Sequence, residues 1–189
     1  MTARILYLMR HGTPELAGRM LGRTDCDVTP EGVAACCAQA QELAVQHVIA
    51  SDLRRASQCA EALAAERGVA PSIDPRWREL DFGAWDGLES GTIDADALGR
   101  FWSDPDAFPP PRGERWSALV ARVASAIDDL PAEPVLIVTH GGTMRAALHI
   151  LCGFALPQLW AFDLPCASVL GLRVWDEPSR NGQIIGLWP

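Results

Sequence analysis

Ile5-Leu6-Tyr7-Leu8-Met9-Arg10-His11-Gly12 runs a short apolar stretch straight into a charged tripeptide. A run of that length, followed by turn-prone residues, reads as a buried strand. Its carboxyl end carries Arg10, His11 and Gly12. Far along the chain, Val135–Val138 is a second strongly apolar strand, and His140-Gly141-Gly142 turns out of it into a helix bearing Met144, Ala147, Leu148 and Leu151.

Working outward, a Gly/Arg-rich loop covers 12–27. Thr29-Pro30-Glu31 has the form of a helix start, with Thr as cap and Pro in the first turn. Val33, Cys36, Cys37, Ala40, Leu43 and Ala44 fit one face of that helix. His47–Ala50 is a short strand. Ser51 is placed to cap a helix lined by Leu53, Ala56, Ala60, Leu63 and Ala64, which Gly68 ends. Residues 69–80 are extended or mixed. Residues 81–115, rich in Gly, Pro and aromatics, read as an irregular excursion with a short helix near 92–103. Trp116, Leu119, Val120, Val123 and Ile127 mark a further helix. Val169–Trp175 and Ile184–Trp188 are closing strands.

Strands alternate with helices, which predicts an α/β fold, a three-layer sandwich around a mostly parallel central sheet. Ligands of such sheets bind beyond the carboxyl ends of the strands. Arg10-His11-Gly12 and His140-Gly141-Gly142 are therefore expected on one rim, although they lie far apart in the chain.

The chain has 189 residues, which predicts a single domain, 1–189, with the 81–115 excursion covering the substrate. No stretch reaches the length of a membrane span, and the N-terminal apolar run is too short for a signal peptide. Net charge is −8 and the pI about 4.9, with no Lys/Arg-rich run, so a nucleic-acid partner is not expected. The six cysteines form no CxxC pair and no set with zinc spacing, which fits reduced thiols in a cytoplasmic protein and no metal site. The sequence leaves the oligomeric state open.

His11 follows a buried strand and sits at a loop mouth. A neutral imidazole keeps one lone pair and is a competent nucleophile near pH 7. Arg10 offers a planar fork that matches phosphate oxygens, and Gly12 permits close approach of the backbone to a ligand. By itself the tripeptide serves a structural turn equally well. His140 at a strand-to-helix junction adds backbone N–H groups suited to an anion. Arg54 and Arg55 stand at a helix start, where the macrodipole disfavours cations, so a bound anion or plain exposure would explain them. Glu79 offers a carboxyl group for proton transfer, although a lone Glu is commonly a solvated surface group.

Together these segments resemble the histidine phosphatase superfamily, also called phosphoglycerate mutase-like. The matching stretches are LMRHG (8–12), GRMLGRTDCDVTPEG (18–32), SDLRRASQCAEALA (51–64), RELDFGAWDG (78–87), PRGERWSALVARV (111–123) and VTHGGTMRAAL (138–148), in the family's order. The resemblance implies that His11 is phosphorylated, that Arg10, Arg55 and His140 form the phosphate pocket, and that Glu79 is proton donor and later base. It prefers Arg55 to Arg54, because the family's pocket arginine stands just before Ala56. It brings Gly22, Arg23 and Gly141 to the substrate, and it requires no metal or other cofactor.

Three departures stand out. Thr13-Pro14-Glu15-Leu16-Ala17 lacks the Asn usual after RHG. Trp85-Asp86-Gly87 replaces WEG. Arg112-Gly113-Glu114-Arg115 replaces PxGES. The resemblance implies a phosphatase acting on a small phosphorylated molecule. Mutase-type transfer and a non-catalytic phosphate-binding module are the alternatives. Gly18–Asp25 is similar to α-ribazole phosphatases, which suggests α-ribazole phosphate. Trp85, Trp102, Phe108 and Trp116 either wall a pocket for a ring-bearing substrate or cap the core.

Overall fold

The computed structural model describes residues 3–176 and 180–189. Strands are β1 (Arg4–Arg10), β2 (His47–Ala50), β3 (Ser72–Ile73), β4 (Val135–Thr139), β5 (Val169–Trp175) and β6 (Asn181–Trp188). Helices are α1 (Pro30–Ala40), α2 (Arg54–Arg67), α3 (Ala95–Ser103), α4 (Trp116–Asp128), α5 (Gly141–Cys152) and the short α6 (Leu156–Leu159). The sheet order is β3-β2-β4-β1-β5-β6. The β3-β2, β2-β4 and β4-β1 pairs are parallel, and β5 and β6 are added antiparallel to their neighbours. The expected α/β class with a mostly parallel sheet is found.

The two central strands are apolar between their ends, at Ile5–Met9 and Val135–Val138, because both faces are covered. In β4, Val135 and Ile137 enter the larger core cluster with residues of α4 and α5, while Leu136 and Val138 pack on residues of α1 and α2. In β1, Leu6 and Leu8 face the first group and Met9 the second. This alternation builds the three layers.

Several elements depart from the sequence reading. α1 ends at Ala40 instead of running to Ala44. Gln41 N–H turns back to the Ala38 carbonyl and Leu43 N–H to Ala40, and this tight turn redirects the chain into β2. Leu43 still packs on the core, from the turn. Ser51 does not cap α2. Its hydroxyl accepts from Leu53 N–H at 3.3 Å, and Asp25, from the distant loop, accepts from Arg54 N–H at 2.8 Å. α2 does end at Gly68, whose φ of 67° suits glycine. β6 starts three residues earlier than expected, at Asn181.

The 81–115 segment is anchored. Trp85, Ile93 and Phe101 are buried in the larger core cluster. Met20 and Gly87–Glu89 exchange backbone hydrogen bonds, and Arg19 bridges Glu89, so the 18–22 loop and this segment form one wall. Among the described residues, no helix is long and apolar enough to cross a membrane.

Candidate active site

The sheet register brings the histidines together. Arg10 pairs with Thr139 in the parallel β1-β4 ladder, and His11 N–H donates to the Thr139 carbonyl at 2.9 Å. The next residue on each strand is then His11 and His140. Their ring centroids lie 5.1 Å apart with an interplanar angle of 60°. His11 is 4% exposed and His140 fully buried.

His11 Nδ1 lies 2.7 Å from the Gly12 carbonyl oxygen. A carbonyl only accepts, so Nδ1 carries the proton and Nε2 keeps its lone pair. Burial, then the Arg55 charge, push the His11 pKa down to about 3. The Gly12 bond opposes this, and Arg10 adds to the lowering. His140 is held well below its ordinary range, first by burial and then by Arg55 and His11. Both rings are neutral at working pH.

Unfolded histidine charges near 6.5. A depressed folded pKa adds stability that is fully present above that value and is lost as the pH falls towards the folded pKa, about 3 for His11. The ring-proton NMR signals of His11 and His140 are therefore expected to show no titration step between about pH 8 and 4.5. A step near 6.5 for either ring would contradict this electrostatic picture.

Arg55 is fully buried, yet among the described residues it pairs with no carboxylate. Its guanidinium donates to the carbonyls of Thr24 (2.9 Å), Leu21 (2.7 Å) and Gly22 (3.2 Å). Arg10 donates to the Leu164 carbonyl at 2.7 Å. Arg54, in contrast, points outward and pairs with Asp27 at 2.5 Å. Among the described residues, six buried side-chain N or O atoms lack a partner: Nε of Arg10, Arg55 and Arg145, both ring nitrogens of His140, and Ser168 Oγ. Buried donors are costly unless something accepts from them. Those of Arg10, Arg55 and His140 belong to the groups whose charge or position bears on His11, and an anion would satisfy them.

Glu79 completes the rim. Its carboxylate accepts from Leu80 N–H at 2.9 Å and from Gly142 N–H at 3.0 Å, at the start of α5. That helix start is thus occupied by the Glu79 carboxyl group. A Cβ on Gly142 would stand 2.3 Å from Glu79 Oε1, so a side chain there would displace the carboxyl group. The backbone of this segment is clamped from behind. Arg122 donates to the carbonyls of Arg76, Arg78 and Glu79, and pairs with Glu114 at 2.8 Å. Thr139 and Thr143 hydroxyls donate to the carbonyls of Trp77 and Arg78. The altered loop around Glu114 therefore serves to anchor Arg122.

Not every expected site residue faces the same space. Gly12 does not open room for a ligand. A Cβ there would meet the Gly32 carbonyl oxygen at 2.3 Å, so the glycine lets the loop touch the start of α1. Gly22 is likewise packed on backbone, with Leu80 O 2.5 Å from its Cβ position. Arg23 turns to Asp81 at 3.2 Å, and its N–H and that of Thr24 are bound by Asp86. Arg10, His11, Glu79 and Gly141 line the pocket, whereas Gly22, Arg23, Arg55 and His140 do not.

That pocket, about 310 Å³, opens between the 13–21 loop, α3, α4 and the start of α5. Of the four aromatics, Trp102 and Trp116 line it, whereas Trp85 is buried in the core and Phe108 is exposed elsewhere. The sequence reading misses Arg122, Arg145 and Trp160. Arg145 carries one usable signal: it follows Gly141 by four residues, which in a helix puts both on one face. No cluster of His, Cys, Asp or Glu among the described residues has the makings of a metal site.

Comparison with known proteins agrees with this geometry. Residues 6–181 match the histidine phosphatase superfamily (branch 1). The chain is 30% identical over 200 residues to a glucosyl-3-phosphoglycerate phosphatase of Mycobacterium tuberculosis, covering 96% of this chain and 87% of that protein. It is 33% identical over 197 residues to a Proteus mirabilis protein named "Probable phosphoglycerate mutase GpmB", covering 95% and 90%. A solved mycobacterial glucosyl-3-phosphoglycerate phosphatase complexed with VO3 superposes with a TM-score of 0.83 at 30% identity, covering 97% of this chain and 98% of that one. The chain belongs to the histidine phosphatase superfamily, branch 1, and is an enzyme of that family.

Proposed function

We propose that the chain hydrolyses a small-molecule phosphomonoester through a phosphohistidine on His11, without a metal. The observation that carries this reading is the ring of partnerless buried donors around an imidazole whose Nε2 lone pair is free.

The phosphoryl oxygens accept from Arg10, Arg55 and a neutral, N–H-donating His140. Each such donor contributes roughly 10²–10³ in rate. Nε2 of His11 attacks phosphorus in line as the bond to the ester oxygen breaks. Glu79, protonated in the enzyme–substrate complex, gives its proton to that oxygen and is left as the carboxylate, a transfer worth roughly 10²–10⁴ for a poor leaving group. The Glu79 carboxylate then takes a proton from water, which attacks phosphorus and breaks the P–N bond. Inorganic phosphate leaves and His11 is restored.

Mutase-type transfer uses the same phosphoenzyme, and one relative carries that name. Two substrates come forward: α-ribazole phosphate, from the 18–25 loop, part of which lines the pocket, and glucosyl-3-phosphoglycerate, from the name of a relative. The six free cysteines fit a reducing, cytoplasmic setting.

The test is to turn over a ³²P-labelled phosphomonoester in EDTA and quench in alkali, where phosphohistidine survives. Label on the peptide containing His11, with inorganic phosphate as product, is the expected result. Label elsewhere, or none during turnover, overturns the phosphohistidine reading. An isomerised phosphate ester in place of inorganic phosphate favours the mutase.

A further inference from the structure

Three arginines line the pocket: Arg10, Arg19 and Arg145. Arg10 belongs to the phosphoryl site, and Arg19 is engaged by the Gly87 carbonyl and Glu89. Arg145 has no such role. Its guanidinium is fixed by neutral groups only, donating to the carbonyls of Gly141 (3.2 Å) and Phe162 (3.2 Å), with Cζ 4.9 Å from the Trp160 ring centroid. Its Nε is buried and, among the described residues, without a partner. The carboxylates that act on its charge are Glu79 and Asp163. Glu79 is committed to two backbone N–H groups, and neither forms an ion pair with Arg145. The cation is held in the pocket by carbonyls and an indole face, with no carboxylate in ion-pair contact among the described residues.

Its placement is close to the phosphoryl site. Around the point where a Cβ on Gly141 would stand, Arg145 Nη1 lies at 3.2 Å and Arg10 Cζ at 3.8 Å. Two like charges so near each other call for anionic charge on both. The phosphoryl group answers Arg10. One further guanidinium, with two of its hydrogens already given to carbonyls, matches a single planar negative charge.

We infer that Arg145 forms a carboxylate subsite beside the phosphoryl site, so that the substrate is a phosphomonoester with a carboxylate a few bonds from the esterified oxygen. This rests on the phosphoryl site proposed above. A phosphate ester without a carboxylate, such as α-ribazole phosphate, leaves Arg145 unanswered.

Binding is the cleanest test, because it does not depend on turnover. 2-Hydroxy-4-phosphonobutanoate carries phosphonate and carboxylate, and 3,4-dihydroxybutylphosphonate replaces the carboxylate by CH2OH. Calorimetry on the wild type is expected to give a Kd at least about tenfold lower for the first. In Arg145→Gln that gap collapses to within about twofold. Arg145→Lys, which keeps the charge and loses the fork, restores part of it. Equal binding of both compounds to the wild type, or a gap that survives in Arg145→Gln, overturns the subsite and leaves the phosphoryl site standing. Failure of both to bind the wild type overturns the phosphoryl site, and the subsite with it.

Discussion

His11→Ala is expected to lower kcat/KM for p-nitrophenyl phosphate by at least about 10⁴-fold, with the loss unaffected by EDTA. The reason is that Nε2 of His11 keeps a free lone pair beside the donors of Arg10 and Arg55, and the substitution removes it. His140 is next to His11, at 5.1 Å between ring centroids, but it is fully buried and does not line the pocket. The donors of Arg10, Arg55 and His140 survive the substitution. Substrate binding should therefore persist while transfer fails, which separates a lost nucleophile from a lost fold. The measurement is nitrophenol release by wild type and variant, with phosphate affinity as the control. Activity within tenfold of wild type would mean that another group attacks phosphorus.

Glu79→Gln is expected to divide substrates by leaving group. For an alkyl phosphate, kcat/KM should fall by roughly 10²–10⁴, because the alkoxide must be protonated as it departs. For p-nitrophenyl phosphate the loss should stay under about tenfold, since nitrophenolate leaves without a proton. The comparison must use kcat/KM, which in the proposed mechanism reports phosphorylation of His11, because the proposed attack by water would also use Glu79. The amide is not a silent replacement. Glu79 accepts from two backbone N–H groups, and the NH2 of Gln would face one of them. That conflict weakens both substrates alike, so the ratio between them carries the answer. Equal losses would remove Glu79 from the acid role.

The parts of this site that are legible in the sequence share a physical property: they follow from local pattern. β1 and β4 show as unbroken apolar runs because the sheet is covered on both faces, and the residues after such strands must lie on the rim. His11 and His140 are those residues. Gly68 ends α2 for a local reason too, its positive φ. The choice of Arg55 over Arg54 comes from family resemblance. In the structure the two differ completely, one buried on loop carbonyls and the other paired at the surface with Asp27.

What stays hidden depends on reach across the chain. Arg122 holds the Glu79 carbonyl from 43 residues away, and Asp25 binds the first N–H of α2 from 29 residues away. In sequence, Gly12 and Gly22 read as openings towards a ligand, yet their missing side chains admit the backbones of Gly32 and Leu80. Sequence shows that a position needs a glycine without showing what comes close to it. The chain by itself determined the layered α/β fold and the two histidines on one rim, because burial and strand order fix both. Only the tertiary structure decided which cations are held by carbonyls instead of carboxylates. A guanidinium's neighbours are set by side chains folding in from elsewhere, and that is how Arg145, unremarkable in the sequence, came to face the pocket beside Arg10.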